Sequence, residues 1–290
     1  MRTASSTLQA FLASRQSFWS ADLYEISMTN GQTLYLTTSD SPIMMEGVAY
    51  LSVGPKIKRG SWSVTYTQEV PSLSFSMYST GVDFVDSVGT QFDIKKGAHD
   101  GLFDYAYVKL ERAFMPTYGD TAMGSVLLFG GRTSRITVNA LGIDFTAKGD
   151  NVIMQQYMPK NTFQLGCIHT LYDGGCTLSR SQFTLSQQVG SGNVNNIFIP
   201  WSSPPAQPGF YNSGILQIVS GQGEGQSRSI LSANSQGMSL AYPLYQVPAP
   251  GDNIQISQGC AKTLNVCNTQ FNNTAHYRGF PYIPPVETSV

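Results

Sequence analysis

The chain is short of charge. Only 12% of its 290 residues are Asp, Glu, Lys or Arg, and the formal net charge is −1, whereas an ordinary soluble domain carries about 25% charged residues. A surface so thinly charged has little to hold copies apart, which suits a subunit built into an assembly better than a free enzyme. A balance this near neutral offers no long-range attraction to nucleic acid or anionic lipid, so direct nucleic-acid binding is not expected. No apolar run reaches the length needed to cross a bilayer as a helix, so no transmembrane segment is expected either. Met1-Arg2-Thr3-Ala4-Ser5-Ser6 lacks the apolar stretch of a secretory signal, which predicts folding in a reducing cytosol.

Catalytic signatures are equally scarce. The three histidines, His99, His169 and His276, show none of the His-x-x-x-His spacing of a catalytic metal helix, and no Gly-x-Ser-x-Gly elbow occurs. Gly221-Gln222-Gly223-Glu224-Gly225 lacks the Lys-Ser/Thr ending of a phosphate loop and reads as a hairpin turn. Asp83, Asp86, Asp100, Asp104 and Glu111 are candidates for a glycosidase pair, but solvated loop carboxylates are far commoner. No catalytic set stands out.

What is there is a cysteine quartet. Cys167 and Cys176 have eight residues between them, Cys260 and Cys267 six, and eighty-three separate the two pairs. Gly166, Gly175 and Gly259 each precede a cysteine, which is expected to let the chain turn tightly and aim sulfur at a common centre. Three readings stand open. An even count allows two disulfides, which a reducing compartment disfavours. Structural zinc takes four such ligands but usually across shorter spacers. An iron-sulfur cluster needs four thiolates with no universal spacing. His169, two residues beyond Cys167, is a further candidate ligand.

The residues around the second pair carry a resemblance. Gly259-Cys260-Ala261-Lys262-Thr263, then Cys267, Phe271, Asn273 and Tyr277-Arg278-Gly279-Phe280-Pro281-Tyr282-Ile283-Pro284, resemble the C-terminal signature of tailed-phage baseplate hub proteins. That family includes gene transfer agent hubs and is similar to the lambda-type minor tail protein L. Its pattern opens Gly-Cys-Asp-Lys and closes Asn-Phe-Arg-Gly-Phe-Pro-His. Here Ala261 replaces the Asp and His276-Tyr277 stands for Asn-Phe, and neither departure touches a cysteine. Ala21-Asp22-Leu23-Tyr24 and Glu69-Val70-Pro71-Ser72-Leu73-Ser74 extend the likeness over most of the chain.

The resemblance implies a structural, non-enzymatic subunit of the virion tail tip, assembled in the host cytoplasm. It implies a homotrimer linking the tail tube, through a distal tail or tube protein, to a central fibre or tip protein. It also implies a [4Fe-4S] cluster on Cys167, Cys176, Cys260 and Cys267, with zinc as second choice. The alternative is a hub with peptidoglycan hydrolase activity during entry. Arg278-Gly279-Phe280-Pro281 reads either as a docking contact or, preferably, as Phe280 capping the apolar shell of the metal site while Arg278 pairs with a carboxylate or the thiolates.

Hydrophobic patterning predicts a mainly β, antiparallel chain in two domains. The first, 1–160, is the β-rich hub domain; the second, 161–290, is a smaller β domain carrying the four-cysteine site. Leu8, Phe11 and Leu12 have helical spacing within 3–17. Tyr24, Ile26 and Met28 alternate ahead of Asn30-Gly31, and Leu34 and Leu36 alternate after it, a strong hairpin signal. Alternation recurs at Trp62, Val64 and Tyr66, at Leu73, Phe75 and Met77, and at Ala106, Val108 and Leu110. Val82, Val85 and Val88 fit a short helix over 82–92. A hairpin turning at Gly130-Gly131 is expected between Val126–Phe129 and Ile136–Val138. Pro159-Lys160-Asn161-Thr162 is the expected boundary. A small β meander over 214–256 then leads into the second cysteine pair, and the Pro-rich tail beyond Phe280 reads as extended.

Overall fold

The computed structural model describes residues 4–14, 17–63, 70–78, 93–155, 158–159 and 161–283, divided between two compact units, Met1–Gln156 and Tyr157–Val290. The chain is mainly β and its sheets are antiparallel. The expected helix over 82–92, strand residues Val64 and Tyr66, and the tail from Pro284 onward lie outside the described residues.

In the first unit the helical spacing near the start gives a short helix, α1 (Ser6–Ala13), within 3–17. Ser5 caps it, its hydroxyl accepting from the Leu8 N–H at 3.1 Å. Strands β1 (Trp19–Ser27) and β2 (Thr33–Thr37) pair across the Asn30-Gly31 turn, with Gly31 at a φ of 84°. Tyr24, Ile26, Met28, Leu34 and Leu36 are all buried, because a period of two sends alternate side chains to one face. Strands β3 (Ile43–Met45) and β4 (Val48–Tyr50) form a separate small hairpin. Next come β5 (Lys56–Ser63), β6 (Ser72–Tyr78), the short α2 (Ile94–His99), β7 (Tyr107–Met115), β8 (Ser125–Val138) and β9 (Gly142–Gly149). Seven of these strands make one sheet in the order β2-β1-β7-β8-β9-β6-β5.

The expected hairpin at Gly130-Gly131 is not formed. Strand β8 runs straight through both glycines, and the turn comes instead just ahead of Gly142. Gly131 is required for a different reason: a Cβ there would sit 2.2 Å from the Lys148 carbonyl oxygen and 2.8 Å from the Phe129 ring. At this point β8 pairs with β7 on one side and β9 on the other, so the glycine permits close backbone approach within a sheet.

The sheet curls into a half-barrel. β1 and β5 lie far apart in strand order, yet Asp22 on β1 takes Arg59 of β5 at 2.9 Å and Arg112 of the adjacent β7 at 2.7 Å. Within the curl, Phe75 stacks on Phe145 at 4.9 Å, and Tyr24 lies 5.6 Å from Phe75. The principal core gathers buried side chains from β1, β2, β5, β6, β7, β8 and β9. A second cluster, including Leu23, Ile43, Met45, Tyr50 and Met115, packs the β3–β4 hairpin against β1 and β7.

The second unit is a six-stranded sheet of β10 (Thr184–Gln188), β11 (Phe198–Pro200), β12 (Ile215–Ile218), β13 (Ser227–Ala233), β14 (Gly237–Leu240) and β15 (Asn253–Ser257), ordered β10-β15-β12-β13-β14-β11. Only β12-β13-β14 is a meander; β15 crosses back to lie between β12 and β10. One antiparallel bridge, Val189 to Trp201, joins the ends of the two outer strands. Leu216, Ile218, Ile230, Met238, Leu240, Ile254 and Ile256 fill the interior. The Gly221–Gly225 run is the β12–β13 turn, with both end glycines at positive φ. Beyond β15 the chain passes into Gly259-Cys260 and then a short helix, α3 (Leu264–Thr269), which carries Cys267.

Candidate metal centre

The centre is assembled by two loops that grip each other. Thr263 caps α3, its side chain accepting from the Val266 N–H, so a local signal fixes the helix bearing Cys267. The Cys167–Cys176 loop is folded by Asp173. One of its oxygens accepts the N–H groups of Gly175 at 2.9 Å and Cys176 at 2.6 Å, and the other accepts that of Thr170 at 2.8 Å. Those donors, Cys176 first, draw the Asp173 carboxyl below its ordinary range. Between the loops, the Cys167 N–H donates to the Lys262 carbonyl at 2.8 Å, Phe280 N–H to Gln164 at 2.9 Å, and the Tyr277 hydroxyl to Leu165 at 2.6 Å.

All four cysteines line one cavity of ≈ 40 Å³, together with His169, His276 and an apolar wall that includes Leu171, Leu178 and Phe271. No disulfide joins them; each is a free thiol, and each is half-buried. Burial pushes the Cys260 and Cys267 thiols up, and the neighbouring cysteines push in the same direction. Among the described residues no three His, Cys, Asp or Glu side chains stand close enough to hold a metal ion as placed. The thiols thus face one space without forming, as placed, a set that would hold a single ion.

The sulfurs have distinct partners. Cys260 Sγ accepts the Lys262 N–H at 3.3 Å, Cys167 Sγ that of Arg278 at 3.5 Å, and Cys176 Sγ the Asn273 side-chain amide at 3.8 Å. Cys267 instead donates from its thiol to the Asn273 carbonyl at 3.2 Å. Lys262 itself holds a left-handed φ of 59°.

Several expectations are corrected at this level. The glycines ahead of the cysteines do not serve as left-handed turn residues. Gly175 makes room for the His169 ring, which a Cβ would meet at 2.1 Å, and Gly259 lies against the backbone of 212–214, where a Cβ would sit 2.0 Å from the Asn212 carbonyl. Among the described residues Arg278 pairs with no carboxylate: its guanidinium donates to the Ala275 and Tyr277 carbonyls, and its backbone N–H faces sulfur. Phe280 stands outside the cavity wall and packs on Phe163 at 4.6 Å; Phe271 takes the capping role. Sequence reasoning missed Asp173 and Asn273 as organisers. Asp173-Gly174-Gly175 is an Asx-turn signal that would have found the first; Asn273 stands among the residues that carry the family resemblance, but no sequence signal marked it for this role.

The carboxylates proposed for hydrolysis have other surroundings where the structure describes them. Glu111 is bonded to Lys109 at 3.0 Å, Asp104 lines a groove of ≈ 570 Å³ in the first unit with Arg132 and Asp150, and Asp83 and Asp86 lie outside the described residues. Arg132 lies over the Tyr105 ring at 4.9 Å there.

Comparison with known proteins covers most of the chain. Residues 5–179 match the family described as baseplate hub protein, N-terminal attachment domain. Residues 209–287 match a family described as a phage conserved hypothetical protein. Each match contains one of the two cysteine pairs. No curated protein sequence matches. Among solved structures, a chain of the virion of a native gene transfer agent particle is similar in fold, with a TM-score of 0.71 and 18% identity over 98% of this chain and 94% of that one.

Proposed function

Because this chain belongs to the baseplate hub protein family, we propose that it is a structural subunit of the tail tip of a phage or gene transfer agent particle, joining the tail tube to the tip or central fibre as a homotrimer. The match of residues 5–179 to the attachment domain carries this reading. The sparse charge supports it, since a nearly neutral surface suits burial in an assembly. Among the described residues no arrangement of carboxylates favours the hydrolase alternative, and the role is read as scaffold without catalysis.

The second part of the proposal is a [4Fe-4S] cluster held by Cys167, Cys176, Cys260 and Cys267. The donor set fits: four thiols face one cavity, three sulfurs accept N–H groups, and the wall is largely apolar. A lone zinc needs four sulfurs at about 2.3 Å from one point, and the thiols as placed do not offer that. A cluster brings its own inorganic bulk and accepts thiolates standing further apart. When bound, it would supply covalent cross-linking between segments remote in sequence, so that binding free energy becomes folding free energy.

Two measurements test these parts separately. Antibody labelling or cryo-microscopy of particles should find this chain at the tail tip, and particles with complete tips lacking the chain would overturn the hub role. Anaerobically purified protein should be brown and contain about four irons and four sulfides per chain. One zinc per chain and no sulfide would replace the cluster with the zinc reading. Cys260→Ser should lose the metal and fail to enter tails; normal infectious particles from that variant would refute a structural centre.

A further inference from the structure

Asn273, like Lys262, touches both halves of the four-sulfur site, and it does so through its side chain as well as its backbone. Asn273 is buried, and every polar group it has is engaged inside the site. Its side-chain amide nitrogen donates to the Cys176 carbonyl at 2.6 Å and faces Cys176 Sγ at 3.8 Å. Its side-chain oxygen meets His276 Nδ1 at 2.8 Å, which places the proton on that nitrogen because an amide oxygen only accepts. Its backbone N–H donates to the Cys267 carbonyl at 3.0 Å, and its own carbonyl accepts from Cys267 Sγ at 3.2 Å.

We infer that Asn273 is the positioning residue of this site: it locks one cysteine of each pair in place and gives the four sulfurs unequal holds on whatever they bind. The inference rests on the four-cysteine reading proposed above. Cys176 sits ninety-seven residues from Asn273, and the bond from its carbonyl fixes where that cysteine's sulfur can point. The same amide presents an N–H toward the sulfur, the arrangement that stabilises a thiolate ligand. Cys267 has the opposite surroundings. Its sulfur faces a carbonyl oxygen, which repels a thiolate, so Cys267 is the ligand given up most readily, whereas Cys167 and Cys260 each keep a backbone N–H.

The discriminating variant is Asn273→Asp, which keeps the shape, removes both side-chain N–H groups and sets a carboxylate beside Cys176. Prepared anaerobically in the full chain beside the unaltered protein, it should lose iron to a chelator about 10- to 100-fold faster, and the reduction potential of the iron it retains should fall, because negative charge disfavours adding an electron. Asn273→Ala, which adds no charge, should also release iron faster but move the potential less. Cys267→Ser should retain some iron with an altered spectrum, whereas Cys176→Ser should retain none. If Asn273→Asp is too unstable to purify, the Ala variant and the serine pair carry the test alone. Iron release and potential unchanged in both Asn273 variants, or equal iron loss in the two serine variants, would overturn the inference while leaving the cluster in place. An unaltered protein that holds no iron would instead remove the reading beneath it.

Discussion

Replacing Asp22 by Asn changes one atom at the point where the half-barrel closes. Asp22 is only 8% exposed at its side chain and accepts from Arg112 at 2.7 Å and Arg59 at 2.9 Å, each arginine about a third exposed. The amide can accept from one arginine but turns an NH2 group on the other. One charge-assisted bond, worth about 1.5–3 kcal/mol, is lost, the other is weakened, and two cations face each other without a counter-charge. Partial exposure of the arginines lets water offset some of this, so the expected cost is about 3 kcal/mol. Hydrogen exchange followed by mass spectrometry on the intact chain reads it locally. At ~1.4 kcal/mol per factor of ten, amides of β1, β5 and β7 should exchange about a hundredfold faster, while the second unit stays unchanged. Glu25→Gln serves as the control, since its contact with Lys109 is long, at 3.7 Å, and partly exposed; it should move nothing by more than about 0.5 kcal/mol. Exchange in β5 altered less than threefold in Asp22→Asn would show that the sheet closes without the ion pairs.

Gly131→Ala should cost well over ~2 kcal/mol, because the new methyl collides with the Lys148 backbone oxygen; a midpoint in urea equal to that of the parent protein would refute the close-approach reading. Glu46→Asn should stabilise the β3–β4 hairpin by about 0.5 kcal/mol, since Glu46 and Gly47 both have positive φ and Asn tolerates that region better than Glu; thermal melting reads it, and a lowered Tm would count against it. Burial pushes the Tyr50 phenol up to about 12. Its unfolded value is about 10, so its contribution to stability is complete below pH 10 and is lost between pH 10 and pH 12. Alkaline difference spectra of the parent against Tyr50→Phe should show one tyrosine missing from the late-ionising group, and its absence from the early group instead would contradict the burial.

Short-range structure was legible where chemistry is local. Asn30-Gly31 names its own turn, and Leu73, Phe75 and Met77 alternate with serines because β6 has one face on the core. Gly130-Gly131 misled for the complementary reason: a glycine demanded by a neighbouring strand looks, in sequence, like a glycine demanded by a turn. The curl of the first sheet was not legible at all, since Asp22 and its partners Arg59 and Arg112 are ordinary charged residues until the fold places them together. At the candidate metal centre the cysteines announced themselves by number and resemblance, but their environment did not. Two of the three N–H groups facing sulfur belong to the backbone, which any residue supplies, and only the fold brings them to the cysteines.

Strand β15 lies between β10 and β12 and is the last strand of its sheet to be synthesised, and the second cysteine pair follows it. A growing polypeptide can therefore complete the half-barrel while the later sheet still lacks the strand that joins β10 to β12, and Cys167 and Cys176 emerge before Cys260 and Cys267 can meet them. If the four cysteines hold a cluster as proposed, its delivery is a late event in biogenesis, and oxidants reaching the early pair during that interval would divert the chain before it could mature.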